Sequence, residues 1–255
     1  YTLQYSFAIE QPFGVSNSLS ISYVGSAARR LARVESLRSQ VLQNPAFTRI
    51  DFVTNEAYSD YNSLQMQFKR RMSRGLQTLL AYTWSKSLDT ASDDSSLGAP
   101  STRLPISSER GPSSFDIAHQ FSGSASYEIP VPTANHAVRT IFGGFALDSV
   151  VRVRTAAPIT VVSGRDPLGL GLTDVSRPDL IAGQPLYLYG EGYPGGKIVN
   201  RAAFDADTPL AQSRQGTLGR GTLRGFGLQQ VDLSFRRRFT ITERIGLDFR
   251  ADGFN

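Results

Sequence analysis

Apolar and polar residues alternate one by one along most of this chain, most clearly near its end. Between Phe226 and Phe254, Val231, Leu233 and Phe235 alternate with Gln230, Asp232, Ser234 and Arg236. After a polar turn over Thr240–Arg244, Ile245, Leu247, Phe249 and Ala251 alternate with Gly246, Asp248, Arg250 and Asp252. A period of two sends successive side chains to opposite faces of an extended strand. The segment therefore predicts a β-hairpin with one apolar face and one face carrying charge of both signs.

The same pattern predicts six earlier strands: about Tyr1–Glu10, Asn17–Ser26, Ser59–Lys69, Leu76–Leu88, Ala118–Ile129 and Gly144–Arg154. Gln11–Gly14 and Arg71–Gly75 supply the breakers of short turns. Within the connector Ala27–Tyr58, composition suggests a short helix over Leu31–Gln43. Weak alternation over Phe47–Thr54 suggests an extra strand outside the main sheet. Asp89–Ile117 is a loop rich in Ser, Asp and Pro, Pro130–Thr140 a connector, and Thr155–Gly225 a Gly- and Pro-rich stretch of about seventy residues.

Connector length then changes the picture. Short connectors follow the first, third, fifth and seventh strands, and long ones follow the second, fourth and sixth. That sorting belongs to outer-membrane barrels, with short periplasmic turns and long external loops. In an ordinary compact domain such connectors would argue against the strands themselves. Strands of roughly eight to twelve residues, tilted, also span a hydrocarbon core. Aromatics near strand ends (Tyr1, Tyr23, Phe68, Trp84, Phe121, Tyr127, Phe239) resemble interfacial girdles. The fold expectation is an all-β, antiparallel transmembrane β-barrel segment of about eight strands. Its apolar face meets outer-membrane lipid. Asp148, Arg152, Arg154, Asp232, Arg236, Asp248 and Arg250 are the candidate lumen-facing polar residues. Alternation alone also fits a soluble β-rich binding module, for carbohydrate for example, with these charges on a solvated outer face.

Composition narrows the classes. Mean hydropathy is −0.21 and no run approaches the ~20 apolar residues of a membrane helix, which excludes a helical membrane protein but not a barrel. There is no cysteine, hence no disulfide framework and no thiolate metal site. Net charge is +5, with basic clusters at Lys69–Arg71, Arg74 and Arg236–Arg238. These sit at strand ends beside turns rather than along one face, so nucleic acid is not expected as a partner. If short turns are periplasmic, both ends of the chain fall at the outer surface. The expectation is then a fragment of a larger barrel lacking at least one strand on each side, because an isolated arc leaves unpaired edges in lipid.

Candidate chemistry is sparse. The only histidines are His119 and His136. Ser113, Asp116 and His119 lie close in sequence, but a triad needs a nucleophile–base–orienter geometry that neighbours on a strand entry rarely supply. An outer-membrane enzyme barrel is the third reading. Asp89, Asp93 and Asp94 suit calcium by type, but without loop-motif spacing they read as a solvated acidic loop. Gly164–Gly171 lacks the Lys and following helix of a phosphate-binding loop. No cofactor, metal or catalytic residue is expected.

Several motifs together resemble one family. Tyr61-Asn62-Ser63-Leu64-Gln65 with Arg70-Arg71-Met72-Ser73-Arg74-Gly75-Leu76 resembles a hairpin of Oar-like TonB-dependent transporters. So do Tyr82–Asp89, Arg110–Asp116 with His119 and Phe121, Arg177–Leu180, Asn200–Phe204, Gly219–Gly225 and Val231–Ser234 leading into Ile241–Arg244. The order is right along the whole chain. The departure is at Asp252–Asn255, where the family has a longer aromatic segment and one more strand. The resemblance implies a barrel of about 22 strands around a plug, with this chain as its C-terminal part, roughly strands 14 to 21. It implies energy-coupled passage of an unidentified substrate across the bacterial outer membrane. The TonB complex would act through an N-terminal and plug region that this chain does not contain.

Overall fold

In the computed structural model the described residues are 1–38, 44, 46–47, 49–92, 105–132, 135, 138, 141–169, 173, 175–242 and 245–255. Eight long strands follow one another as an antiparallel meander: β1 (Thr2–Phe13), β2 (Asn17–Arg38), β3 (Arg49–Ser73), β4 (Leu76–Asp89), β5 (His119–Glu128), β6 (Phe145–Arg154), β7 (Leu228–Thr242) and β8 (Ile245–Gly253). A two-residue strand, Gly111–Pro112, lengthens the sheet beside the end of β4. Each neighbouring pair in sequence is a neighbour in space, and β1 and β8 form the two edges of a sheet that is not closed.

All eight strands expected from the alternation are present. Two expectations between them are corrected. Residues 31–38 are strand, not helix, because β2 runs on to Arg38 and pairs with the start of β3 through Arg33–Thr54, Val34–Val53 and Leu37–Ile50. A partner strand across the ladder overrides weak local helix composition. Residues 39–43 of that expected helix lie outside the described residues. The segment expected as a separate strand over Phe47–Thr54 begins at Arg49 and belongs to β3 itself, within the main sheet. The supposed long connector is therefore mostly an extension of the β2–β3 hairpin. Register shifts at Ala28, Leu31 and Arg33, with Arg30 at φ 55, mark a bulge where this extension leaves the part of β2 that pairs with β1.

The other connectors sort as expected. The ends of β1 and β2, β3 and β4, β5 and β6, and β7 and β8 that are joined in sequence lie at one end of the sheet, and the joined ends of β4 and β5 and of β6 and β7 at the other. The longest connector carries structure of its own. Pro158–Ile159 pairs with Leu223–Arg224, Asp179–Leu180 with Phe204–Asp205, and Tyr187–Tyr189 with Lys197–Val199, and one short helix, α1, spans Asp207–Ala211.

At the short-turn end, two glycines make the strand-to-strand approach possible. Gly75 and Gly144 have φ of 80° and 77°. A Cβ on Gly75 would run into the Glu128 carbonyl oxygen, and one on Gly144 into that of Arg238. Each turn thus lets the backbone of another strand, β5 at Gly75 and β7 at Gly144, close directly against it.

Burial is inverted relative to a soluble domain. Leu233 is 49% exposed and Phe249 60%, and Leu3, Phe7, Ile9, Phe235 and Leu247 on the same face are exposed as well. Among the described residues the buried side chains are largely polar, including Ser113, Asp116, Arg177 and Ser176. A soluble sandwich needs a second layer over its apolar face, and such a continuous exposed apolar surface marks contact with something other than water.

Candidate functional site: the polar face and its loop cap

Register builds the polar face from rows that cross the sheet. One row reads Ser22, Gln65, Thr83, Gln120, Arg154 and Leu228 from β2 to β7, and the next reads Ser20, Gln67, Ala81, Ser122, Arg152 and Gln230. Further toward the short turns, Ser126, Asp148, Ser234 and Asp252 align. All seven sequence candidates, Asp148, Arg152, Arg154, Asp232, Arg236, Asp248 and Arg250, stand on this one face.

Most of them are tied to neighbours on the same face. Arg236 Nε donates to Asp148 at 2.8 Å, and its Nη2 to Ser126 Oγ at 3.2 Å. Arg250 Nε donates to Asp252 at 2.7 Å and to Ser234 Oγ at 3.0 Å. Gln230 donates to Asp232 at 2.9 Å, and Arg238 stands 3.8 Å from Asp248. Arg236 and Arg250 are directly opposite in register, so Asp148 and Asp252 offset a like-charge contact that would otherwise oppose pairing. Selecting only charged positions missed the hydroxyl and amide half of the face on β2–β5. The same alternation carried that signal.

A second cluster went unseen. Three arginines of the 155–227 connector reach three carboxylates, Asp89 at the end of β4 and Glu109 and Asp116 in the connector between β4 and β5. Arg177, 4% exposed, donates to both oxygens of Glu109 at 3.1 and 3.2 Å, to the Leu218 carbonyl at 2.9 Å and to that of Ser108 at 3.0 Å. Arg220 binds the Asp89 carboxylate and donates to the Glu109 carbonyl at 2.8 Å and to Ser92 Oγ at 3.0 Å. Arg224 donates to Asp116 at 2.5 Å, and the other oxygen of this fully buried carboxylate accepts the Ser87 N–H at 2.6 Å. Charge-assisted bonds of this kind are the strong ones, and a buried charge needs them. The cluster joins positions 68 to 131 residues apart. That separation hides it from local pattern reading, although every member lies in or beside a motif quoted above. Within the connector, the Arg214 guanidinium, at 2.5 and 2.8 Å, holds the Asp179 carboxyl down at about 2, helped by the Thr217 N–H at 2.9 Å.

The remaining candidates are dispersed. Ser113 Oγ pairs with Ser87 Oγ at 2.8 Å, Asp116 is committed to Arg224, and His119 Nδ1 meets the Tyr82 hydroxyl at 2.8 Å while its ring stacks on Trp84. His119 sits on the apolar face, so these three residues form no triad. Asp89 is engaged by Arg220. Asp93, Asp94, His136 and Gly171 lie outside the described residues.

On the apolar face, polar handles collect at the loop end. The Tyr5 and Tyr23 hydroxyls donate to Asn62 at 3.0 and 2.7 Å, on a level near the Tyr82–His119–Trp84 stack. At the other end the Arg237 guanidinium lies between Phe145 and Phe239, 4.4 and 4.1 Å from their centroids. On β4, Trp84 to Leu76 spans roughly 26 Å along the strand at ~3.3 Å per residue. At a tilt of ~40° this is roughly 20 Å of height, close to the ~25 Å apolar band of a membrane barrel.

A family model described as outer membrane beta barrel domain matches residues 1–255. Among solved structures, the chain is similar to the outer membrane transporter YddB from Escherichia coli. The TM-score is 0.57 at 11% identity, covering 100% of this chain and 28% of that one. A second similarity is to P. aeruginosa FpvA bound to heterologous pyoverdines, with a TM-score of 0.45 at 11% identity, covering 98% of this chain and 22% of that one. No curated protein matches the chain by sequence.

Proposed function

The chain belongs to the outer membrane β-barrel domain family and resides in the bacterial outer membrane, and from that premise we propose that it forms part of the wall of an Oar-like TonB-dependent transporter. The observation that carries this reading is the two-faced sheet. Its exposed apolar face has polar-tipped aromatics at one end and an arginine between phenylalanines at the other. Its opposite face is lined with charge, hydroxyl and amide groups and capped by an ion-paired loop. Lipid is the partner of the first face, and a substrate path runs along the second. The chain spans about a quarter of the YddB chain. The backbone edges on β1 and β8 pair with flanking strands of one larger barrel, because unpaired edges are not viable in hydrocarbon.

In this role the protein carries out no bond chemistry. Its polar face lets a solute pass, and energy arrives from TonB acting on a plug region outside this chain. The test is photo-crosslinking in energised cells between the natural full-length protein and the TonB periplasmic domain. A crosslink that disappears when the proton gradient is collapsed is expected. A folded, membrane-inserted protein that gives no TonB crosslink would refute TonB coupling while leaving the barrel intact.

A further inference from the structure

The loop end of the apolar face carries a cluster of charge. Trp84 stands roughly 20 Å of height above Leu76 at ~3.3 Å per residue and a tilt of ~40°. Lys86 follows on the same side of the pleat and adds roughly 5 Å, which puts it at the outer edge of the ~25 Å apolar band. Asn62 of β3 is its partner in register, and Asp60, on the same face and nearer the loops, is its diagonal neighbour. Arg29 donates to one Asp60 oxygen at 2.6 Å, and Arg110 stands 2.9 Å from the other. Both guanidinium groups also lie over the Tyr58 ring, 5.8 and 5.2 Å from its centroid. Just below them Tyr5, Tyr23 and Trp84 are exposed.

The charges here do not cancel. Asp60 is shared by two arginines. Asp116, the other carboxylate in reach, is bound by Arg224 at 2.5 Å, and Lys86 stands 3.6 Å from it. Four cations thus meet two carboxylates among the described residues. Donors are in surplus as well. The Lys86 ammonium is 52% exposed and donates no hydrogen bond among the described residues. The Asn62 oxygen accepts from Tyr5 and Tyr23, while its NH2 group has no acceptor among the described residues. Arg110 is engaged with Asp60 only through Nη2.

We infer that this cluster binds the phosphomonoester headgroup of an outer-leaflet lipid, whose acyl chains lie along the apolar face below it. A phosphate monoester carries about −1.5 to −2 charges at pH 7 and three strong acceptor oxygens, which matches the surplus in both charge and donors. Ammonium and guanidinium groups bind such oxygens through charge-assisted hydrogen bonds. Depth selects a lipid over a soluble anion, because the cluster stands where headgroups meet hydrocarbon and continues into an aromatic, apolar surface. The inference rests on the assignment of the apolar face to lipid and is independent of TonB coupling.

The test uses the natural full-length protein in detergent, shown to be folded by its heat-dependent gel mobility. It is titrated with diphosphoryl lipid A, with a phosphate-free lipid of the same sugar and acyl chains, and with inorganic phosphate. Bound lipid is counted by native mass spectrometry. Retention of the phosphorylated lipid is expected, roughly tenfold weaker for Lys86→Gln and for Arg110→Gln, as for the loss of a hydrogen bond to a charged group. Lys86→Arg should retain it, and so should Lys69→Gln, which removes a cation from the polar face near the short turns. Should Arg110→Gln disturb the fold around Asp60, Lys86→Gln still decides, since Lys86 donates no hydrogen bond there. Equal retention of the phosphate-free lipid overturns the inference, as does equal weakening by Lys69→Gln and Lys86→Gln. Displacement of the lipid by an equal concentration of inorganic phosphate also overturns it, as does a folded protein that retains no lipid. A wrong assignment of the apolar face would show separately, as a protein that never acquires the heat-modifiable form, and the inference would fall with it.

Discussion

Leu233→Arg places a guanidinium on the apolar face at a depth that can be worked out. Leu233 is six residues from Phe239, which marks the short-turn end of the apolar band beside Phe145, Phe249 and Arg237. At ~3.3 Å per residue and a tilt of ~40°, the separation is roughly 15 Å of height. The band is ~25 Å tall, so Leu233 lies within a few ångströms of the midplane. An Arg there costs about 2–4 kcal/mol, or roughly thirty- to a thousand-fold in the folding equilibrium at ~1.4 kcal/mol per decade. Ser124→Arg is the control. Ser124 aligns with Val150 and Asp232, one step from Leu233, but on the polar face. Its cost is expected within about 0.5 kcal/mol, as for ordinary exposed sites. The assay is the denaturant dependence of folding of the natural protein into lipid vesicles, read by heat-dependent gel mobility. Equal costs for the two variants, or a larger one for Ser124→Arg, would refute the assignment of faces.

Arg177→Met leaves Glu109 buried without its partner. Cap docking is expected to weaken by about 3–5 kcal/mol, read as faster protease cleavage within residues 155–227. Arg177→Met with Glu109→Leu should recover most of that loss, and equal cleavage of the single and double variants would contradict the pairing argument. For Asp179 the folded carboxyl titrates at about 2, below its unfolded value of ~3.9. Its contribution is therefore complete above pH ~4 and lost as pH falls through about 2. Hydrogen exchange at the Leu180 and Thr217 amides, corrected for intrinsic rates, is expected to stay level down to pH ~4 and to rise below it. Asp179→Asn should remove the step.

The strands were legible because a period of two is a local property, and so were the two faces. Leu233 and Phe235 fall on one side, and Asp232 and Arg236 on the other, wherever the strand lies. The long connectors after β4 and β6 were legible from spacing alone, and the one after β2 was not. The extension of β2 and β3 was not, since residues 31–38 become strand only when 49–57 lie beside them. Residues three apart, such as Ser113, Asp116 and His119, were separated by the pleat and by Arg224 in a way no spacing reveals.

The sequence by itself determined that this is an antiparallel two-faced sheet, because alternation constrains each residue against its own neighbours. Only the tertiary structure decided which charges are spent and which polar groups stay open. Arg177, Arg220 and Arg224 find Glu109, Asp89 and Asp116 through the folding back of one long connector. Thr83 and Gln120 become one surface only through the register of β4 on β5. Pairing energies depend on distance in space, and across such loops the sequence carries no measure of it.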